Sequence, residues 1–241
     1  MIWKSMFQIV AACYAFAKVG WVHNDMHCEN IWVLSKPPPQ HEKAVQYIYE
    51  GNKFLLKAPM PWILIYDFDT DSGKLKLLEN GITTLPKGSG PRHFTFNADG
   101  TKMYVINELG SKMMVFDVDN EGLLKLIQTL PTTRETYEEN NYCADIHIGK
   151  NGEFLYGSNR GENTIVTFRI GIDGLLTLAG HTSCGGDWPR NFVIDPSGKF
   201  LLVGNQKSDS VSVFKLDRRT GLPKEPDNDY KVFMPACLKF Y

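Results

Sequence analysis

The chain has 241 residues, 43% of them hydrophobic, and a formal net charge of −1 at pH 7. This composition is typical of a globular protein that is long enough for one or two cores. The near-neutral charge argues against broad nucleic-acid binding, because that function needs a basic surface.

The N-terminal segment predicts a helix. Residues Phe7–Val19 are rich in alanine and apolar side chains, and the helix is expected to end at Gly20. The apolar run that follows Lys4 resembles a weak signal peptide, but it contains Gln8 and is interrupted by Lys18. Since the run is also too short to span a bilayer, we expect neither secretion nor a membrane segment.

A short motif after this helix has the spacing of a protein-kinase catalytic loop. His23, Asp25 and Asn30 give the pattern His-x-Asp-x-x-x-x-Asn, with a second histidine at His27. The motif resembles the H-x-D-x-H-x-x-N variant of kinase-like phosphotransferases. The resemblance implies that Asp25 orients or deprotonates the acceptor hydroxyl and that Asn30 holds a magnesium ion.

The strand that should follow in a kinase is matched by Ile63–Asp69, with Asp67 as the acidic ligand and Asp69 where glycine is expected. The same segment also fits the third strand of the repeat described below, so the chain looks like a splice. A kinase further needs a glycine-rich loop, a strand lysine and an activation segment, which this sequence lacks. We therefore predict a kinase-like fragment without phosphoryl transfer over residues 1–62, in a chimeric chain.

Three longer stretches of the chain repeat one another. They begin at Pro91, Ala144 and Pro189, and their turn glycines keep intervals of 52 and 46 residues: Gly100, Gly152 and Gly198. Each copy has four short apolar or alternating segments, separated by polar turns in which glycine supplies the positive φ of a hairpin. A four-stranded unit repeated every 40–50 residues or so predicts a β-propeller blade. A plain β-sandwich would not explain a register kept over three copies.

A fourth copy is present only in part. Residues Ile63–Leu75 match the third strand, the turn and the fourth strand of a copy, as in Met114–Leu123. The predicted fold is therefore mainly β, a partial β-propeller of about three and a half four-stranded blades over residues 63–241, preceded by the short α-helical kinase-like fragment. Since propellers close at about four to eight blades, we expect the chain to be too short to close a ring alone.

The repeats are similar to the seven-bladed lactonase family, which includes propeller-type 6-phosphogluconolactonases and carboxymuconate cyclases. The resemblance spans about Tyr66 to the C-terminus. Its motifs are Gly88–His93, Tyr104–Leu109, Ala144–His147, Ser158–Gly161 and Pro189–Phe192. A full member of the family would be about twice as long as this chain, so the resemblance implies a lactone hydrolase with half of its propeller.

Polar residues at the ends of the inner strands predict a ligand site at one rim. Those that begin first strands are Arg92, His93, Asp145, His147, Arg190 and Asn191; those that end second strands are Asn107, Glu108, Asn159, Arg160, Asn205 and Gln206. Opening a lactone needs a base that activates water and a donor for the developing oxyanion. We predict His93 as the base and Glu108 as its orienting partner. Arg160 and Arg190 are predicted to bind a phosphate or carboxylate and to polarise the carbonyl.

The remaining rim residues are predicted to contact the substrate, with one alternative left open. Aspartate, histidine and asparagine at blade edges often only tie turns and neighbouring blades together. Asp145 and His147 have no evident counterparts in the other copies, so both roles stand for them, and for His147 the structural role is favoured.

No cofactor is predicted. The five cysteines contain no C-x-x-C pair, and no third ligand accompanies His23 and His27 for a metal. An odd number of widely spaced cysteines also indicates a reducing compartment, so we expect a cytoplasmic protein. The expected ligand is a small sugar lactone or carboxylate, without nucleic acid or membrane as a partner.

Three functions remain open from the sequence. The first is a lactone hydrolase of the 6-phosphogluconolactonase type, inactive if the incomplete propeller cannot form its site. The second is a non-catalytic half-propeller scaffold that dimerises to close a ring, since open sheet edges invite pairing. The third is a kinase-like phosphotransferase remnant.

Overall fold

The computed structural model of the chain describes residues 44–49, 52–57, 61–69, 73–226 and 228–240. These residues form β-strands and connecting turns without any helix, which confirms the prediction of a mainly β fold. The helix predicted over Phe7–Val19 and the kinase-type residues Asp25 and Asn30 lie outside the described residues.

Two hairpins lie in the first of two compact units, which extends to Pro91 and includes Asn120–Leu123. One hairpin pairs β1 (Ala44–Tyr49) with β2 (Asn52–Lys57), and the other pairs β3 (Trp62–Asp69) with β4 (Lys74–Thr84). The second hairpin occurs where the sequence predicted the third and fourth strands of a partial copy.

Three antiparallel four-stranded sheets account for the second unit, and each has its strands in chain order. Sheet A comprises β5 (Pro91–Phe96), β6 (Lys102–Asn107), β7 (Lys112–Val118) and β8 (Leu124–Pro131). Sheet B comprises β9 (Tyr142–Ile148), β10 (Phe154–Arg160), β11 (Thr164–Ile170) and β12 (Leu176–Ser183). Sheet C comprises β13 (Pro189–Ile194), β14 (Phe200–Asn205), β15 (Ser210–Lys215) and β16 (Asn228–Lys231). The three sheets match the three sequence copies and have the strand order of propeller blades.

The turn between the first two strands has the same conformation in each sheet. Gly100, Gly152 and Gly198 have φ values of 72°, 73° and 72°. In each turn the glycine N–H donates to the carbonyl three residues earlier, over 2.8 to 3.1 Å. This left-handed conformation favours glycine and explains why the sequence keeps glycine in every copy.

Apolar clusters join neighbouring sheets. Between sheets A and B the buried side chains include Tyr104, Leu155 and Phe168, and between sheets B and C they include Phe192 and Phe214. A buried tyrosine hydroxyl crosses each interface. That of Tyr104 donates to the Gly174 carbonyl over 2.9 Å, and that of Tyr156 donates to the Gly221 carbonyl over 2.8 Å. Sheet B is therefore covered on both faces.

Candidate active site

Three predicted site residues occupy equivalent positions in the three sheets. His93, Asp145 and Asn191 are separated by 52 and 46 residues, the intervals of the repeat. The strand registers agree, since Cys143 pairs with Asn159 in sheet B as Pro189 pairs with Asn205 in sheet C. Asp145 therefore does have counterparts in the other copies, which the sequence analysis missed because the residue types differ.

Hydrogen bonds connect these equivalent positions across the sheets. His93 Nδ1 lies 2.8 Å from Asp145 Oδ1, and Asn191 Nδ2 donates to Asp145 Oδ2 over 2.5 Å. Asp145 also accepts from the backbone N–H groups of Ile146 (3.0 Å) and Phe192 (3.2 Å). One carboxylate thus holds the inner strands of sheets A, B and C together.

The Asp145 carboxylate is buried, with 5% of its side chain exposed, yet it is held ionised. Burial alone would raise its pKa, but hydrogen bonds and charge interactions with His147 and His93 lower the pKa far below the ordinary value for aspartate. His147 Nε2 lies 3.1 Å from Asp145 Oδ2, and its ring packs edge-on against Phe192 at 4.9 Å between centroids. The rim therefore contains a fixed negative charge that contacts two imidazoles.

The tautomer of His93 follows from two of the groups that it contacts. Arg92 Nη1 lies 3.2 Å from His93 Nε2. Because a guanidinium only donates hydrogen bonds, Nε2 must accept, and the ring proton lies on Nδ1 facing Asp145. Nε2 is then the basic nitrogen, as in a catalytic histidine oriented by an aspartate. The prediction that Glu108 orients His93 is corrected, since the carboxylate bonded to Nδ1 is Asp145.

Glu108 lies instead between two arginines. Arg160 Nη2 donates to Glu108 Oε1, and Arg92 Nε is 3.7 Å from Glu108 Oε2. Both guanidinium groups also donate to backbone carbonyls of Tyr142–Ala144, over 2.6 to 3.0 Å. The arginine side chains are only 1% and 4% exposed, whereas that of Glu108 is 22% exposed. Two buried cations thus flank one partly exposed carboxylate beside His93.

Trp188 and Lys207 belong to this rim, and the sequence analysis did not identify them. The Trp188 ring centroid lies 5.5 Å from the Arg160 guanidinium carbon and 3.2 Å from Lys207 Nζ, within the range of cation–π contact. Trp188 has a φ of 65°, unusual for so large a residue. Trp188 precedes Pro189 as Gly90 precedes Pro91, and Gly90 also has a positive φ, of 59°. These two copies of the repeat therefore keep a left-handed conformation at this position.

The three predicted asparagines lie away from the rim surface. Asn107, Asn159 and Asn205 are fully buried. Asn159 Nδ2 donates to the Thr132 carbonyl (2.6 Å) and Asn205 Nδ2 to the Cys184 carbonyl (3.1 Å), each just after the last strand of the preceding sheet. These bonds favour a structural role that ties neighbouring sheets together. Arg190 is half-buried at the start of β13, and its contact with a ligand stays a prediction.

The charge on His147 gives a test by pH. Burial would lower the pKa of His147, but its hydrogen bond to Asp145 and a backbone hydrogen bond with Phe192 raise it above the ordinary value. A raised folded-state pKa contributes stability that is fully present below the unfolded pKa of about 6.5 and is lost as pH rises through the folded value. We expect the difference in free energy of unfolding between the wild type and His147→Gln to be larger at about pH 5.5 than at about pH 8.5. Urea unfolding at both pH values measures it, and an equal or reversed difference would contradict the placement of this charge.

Comparison with known proteins decides the family. The family model described as Lactonase, 7-bladed beta-propeller, matches residues 62–240. The chain belongs to this lactonase family. The match begins before Asp67, whose exposed side chain lies in β3, where Asp67 pairs in register with Lys76 of β4. The kinase role predicted for Asp67 is therefore not supported, because the residue belongs to a lactonase strand.

Several named proteins are similar to a part of this chain. A 6-phosphogluconolactonase of Formosa agariphila is 45% identical over 145 residues, which are 57% of this chain and 40% of the relative. A 6-phosphogluconolactonase of Pectobacterium carotovorum is 37% identical over 161 residues, 66% and 48% of the two chains. The periplasmic gluconolactonase of Pseudomonas aeruginosa has a TM-score of 0.72 and 31% identity, over 74% of this chain and 50% of that one. This chain spans about half the length of the relatives that it matches.

In the described part of the chain, no helix qualifies as a membrane span. Among the same residues no group of three or more histidine, cysteine or acidic side chains could hold a metal ion. The cytoplasmic location stays a prediction, since one structural relative is periplasmic.

Proposed function

We propose that the protein is a lactone hydrolase of the 6-phosphogluconolactonase type, with its site at the inner ends of sheets A, B and C. The observation that carries this proposal is His93, oriented by the ionised Asp145 and placed 3.2 Å from the Arg92 guanidinium. Membership of the lactonase family and relatives named 6-phosphogluconolactonase support the same chemistry.

The base and the cation act side by side in the proposed reaction. Water attacks the lactone carbonyl while His93 Nε2 gives up the hydrogen bond from Arg92 and takes the water proton. The Arg92 N–H that is released then donates to the oxygen that becomes negative. The ring C–O bond then breaks, and the imidazolium returns its proton to the leaving alkoxide. The product is the open hydroxy acid. Asp145 keeps His93 in the required tautomer and stabilises the imidazolium, as the aspartate does in other histidine-dependent hydrolases.

The other charged side chains supply position and potential. Arg160 is buried beside Glu108, so it shapes the site and adds positive potential close to the reacting carbonyl. Lys207 is exposed, so it can reach a phosphate or carboxylate at the far end of the substrate. Arg190, at the start of β13, is proposed to contact the same group. The half-buried Trp188 ring, which Lys207 contacts, adds an apolar surface for the sugar ring beside these cations.

Hydrolysis of 6-phosphogluconolactone by the purified protein, measured above the spontaneous rate, tests the proposal. We expect His93→Ala to lower kcat/KM by about 100-fold or more, because general-base catalysis contributes at least that factor. Glu138→Ala, which removes an exposed carboxylate in the loop before β9, should keep wild-type activity. A wild-type rate equal to the spontaneous rate, or a His93→Ala variant as active as wild type, would refute the assignment.

A further inference from the structure

The Asp145 carboxylate holds one imidazole on each of its two oxygens. His93 Nδ1 lies 2.8 Å from Oδ1, and His147 Nε2 lies 3.1 Å from Oδ2. The two rings belong to the inner strands β5 and β9, and the carboxylate side chain between them is only 5% exposed. Two titratable rings that share one buried counterion interact through it, so the protonation of each ring depends on that of the other.

The groups packed around these rings leave one negative charge between them. Three neutral donors also bond to the carboxylate: the Asn191 side chain and the N–H groups of Ile146 and Phe192. They keep Asp145 ionised without adding a cation. The charged groups in contact with His93 include Asp145 and Arg92, and Arg92 is in turn close to the Glu108 carboxylate. His147 is thus a titratable cation on the same carboxylate that orients the proposed base.

The surroundings of His147 favour its charged form. Its hydrogen bonds with Asp145 and with the Phe192 backbone raise the pKa of His147 above its ordinary value. Tyr156, its register partner on β10, donates its hydroxyl to the Gly221 carbonyl and stays neutral. His147 is therefore protonated in weakly acidic solution, which is the range in which a histidine base loses its activity.

We propose that His147 is a positioning residue of the lactone site, whose charge acts through Asp145 to keep His93 from taking a second ring proton. Protonation of His93 would place two imidazolium cations on one carboxylate, and this state is disfavoured because like charges repel. A general base must be unprotonated to accept the proton of water. His147 thus extends the activity to lower pH. The inference rests on the proposed function, in which His93 is the base.

The pH profile of kcat/KM on 6-phosphogluconolactone, measured above the spontaneous rate, gives the first test. His147→Gln removes the cation and keeps an amide that can donate to Asp145. We expect the pH of half-maximal kcat/KM to rise by about 0.5 unit or more, which lowers the activity at about pH 5.5 by about threefold or more. The plateau should change less, because His93 is neutral there in both proteins.

His181→Gln is the matched control. His181 is also partly buried, but it lies in β12, the outermost strand of sheet B, where its Nε2 is 2.9 Å from the Thr132 carbonyl. This variant removes an imidazole from the same sheet and should leave the midpoint of the profile unchanged. A His147→Gln variant that keeps the wild-type midpoint would overturn the proposal.

Titration of the histidine rings by NMR needs no substrate and therefore separates this inference from the lactonase assignment. The chain has six histidines, and the signals missing from His93→Gln and His147→Gln assign the two rings. Coupling is reciprocal. The His93 ring should titrate at a higher pH without His147, and the His147 ring should titrate at a higher pH by the same amount without His93.

Each outcome of the NMR titration has one meaning. Equal upward shifts of the two rings support the coupling, and if the chain then hydrolyses no lactone, only the proposed function is refuted. An unchanged titration of His93 in His147→Gln refutes the coupling, whatever the activity. A shift of one ring without the reciprocal shift of the other reports a change of structure instead of a charge interaction, and it refutes the coupling as well.

Discussion

Replacing Asp145 with alanine should lower the free energy of unfolding by about 3–5 kcal/mol, because it breaks a buried charge network. The variant removes the one acceptor shared by His93, His147 and Asn191 and by two backbone N–H groups. A buried donor without its acceptor costs more than an average hydrogen bond contributes. Urea unfolding at neutral pH, with Glu138→Ala as the exposed carboxylate control, gives the comparison.

The isosteric variant Asp145→Asn separates stability from catalysis. It keeps the size of the side chain but replaces one carboxylate oxygen with an amide donor. The side chain can then no longer accept hydrogen bonds from both His93 and Asn191. We expect it to be more stable than Asp145→Ala and as inactive, because His93 loses the carboxylate that fixes its tautomer. An Asp145→Ala variant within 1 kcal/mol or so of the wild type would contradict the network, since even one unsatisfied buried donor costs that much.

Replacing Arg160 with alanine should reduce kcat/KM on 6-phosphogluconolactone by about 100-fold or more, the loss typical of a removed electrostatic group in an active site. Arg160 contacts Glu108, the Tyr142 and Cys143 carbonyls and the face of Trp188 together. Lysine cannot make these contacts at once, because it carries a single ammonium group and no planar fork. We therefore expect Arg160→Lys to rescue little of the activity.

A double-mutant cycle identifies the partner through which Arg160 acts. Glu108→Gln alone should lower activity, because it releases both arginines from their carboxylate. The double variant with Arg160→Ala should lose less activity than the sum of the two single losses, since the residues share one interaction. Strict additivity in kcat/KM would mean that Glu108 and Arg160 act separately, and it would remove the pair from the proposed site.

The repeat predicted the sheets well because its signal is local. Turn glycines such as Gly152 and the alternation within β15 follow from chain geometry that each copy must satisfy by itself. The closeness of His93, Asp145 and Asn191 also follows from the sequence, because strand ends that share a register must meet at one end of neighbouring sheets. Even the intervals of 52 and 46 residues recur in the hydrogen bonds from His93 to Asp145 and from Asn191 to Asp145.

Roles within the rim were less accessible, because they depend on burial and on side-chain direction. Asn159 and Asn205 were predicted to bind substrate, but both are buried and bond to carbonyls of the preceding sheet. Glu108 was assigned to His93, whereas the structure gives that role to Asp145. Trp188 was missed because its contacts with Arg160 and Lys207 come from chain segments far apart in sequence.

The interface between sheets A and B determines when the chain can fold during its synthesis. The apolar cluster that covers Tyr104 takes Leu155, Phe168 and Leu176 from sheet B, so sheet A has no cover on that face until sheet B has left the ribosome. The two copies are 52 residues apart. At translation rates of about 5–20 residues per second, that face stays uncovered for roughly 3–10 s. Nascent chains are thus most exposed to chaperones, and to one another on a polysome, in this interval.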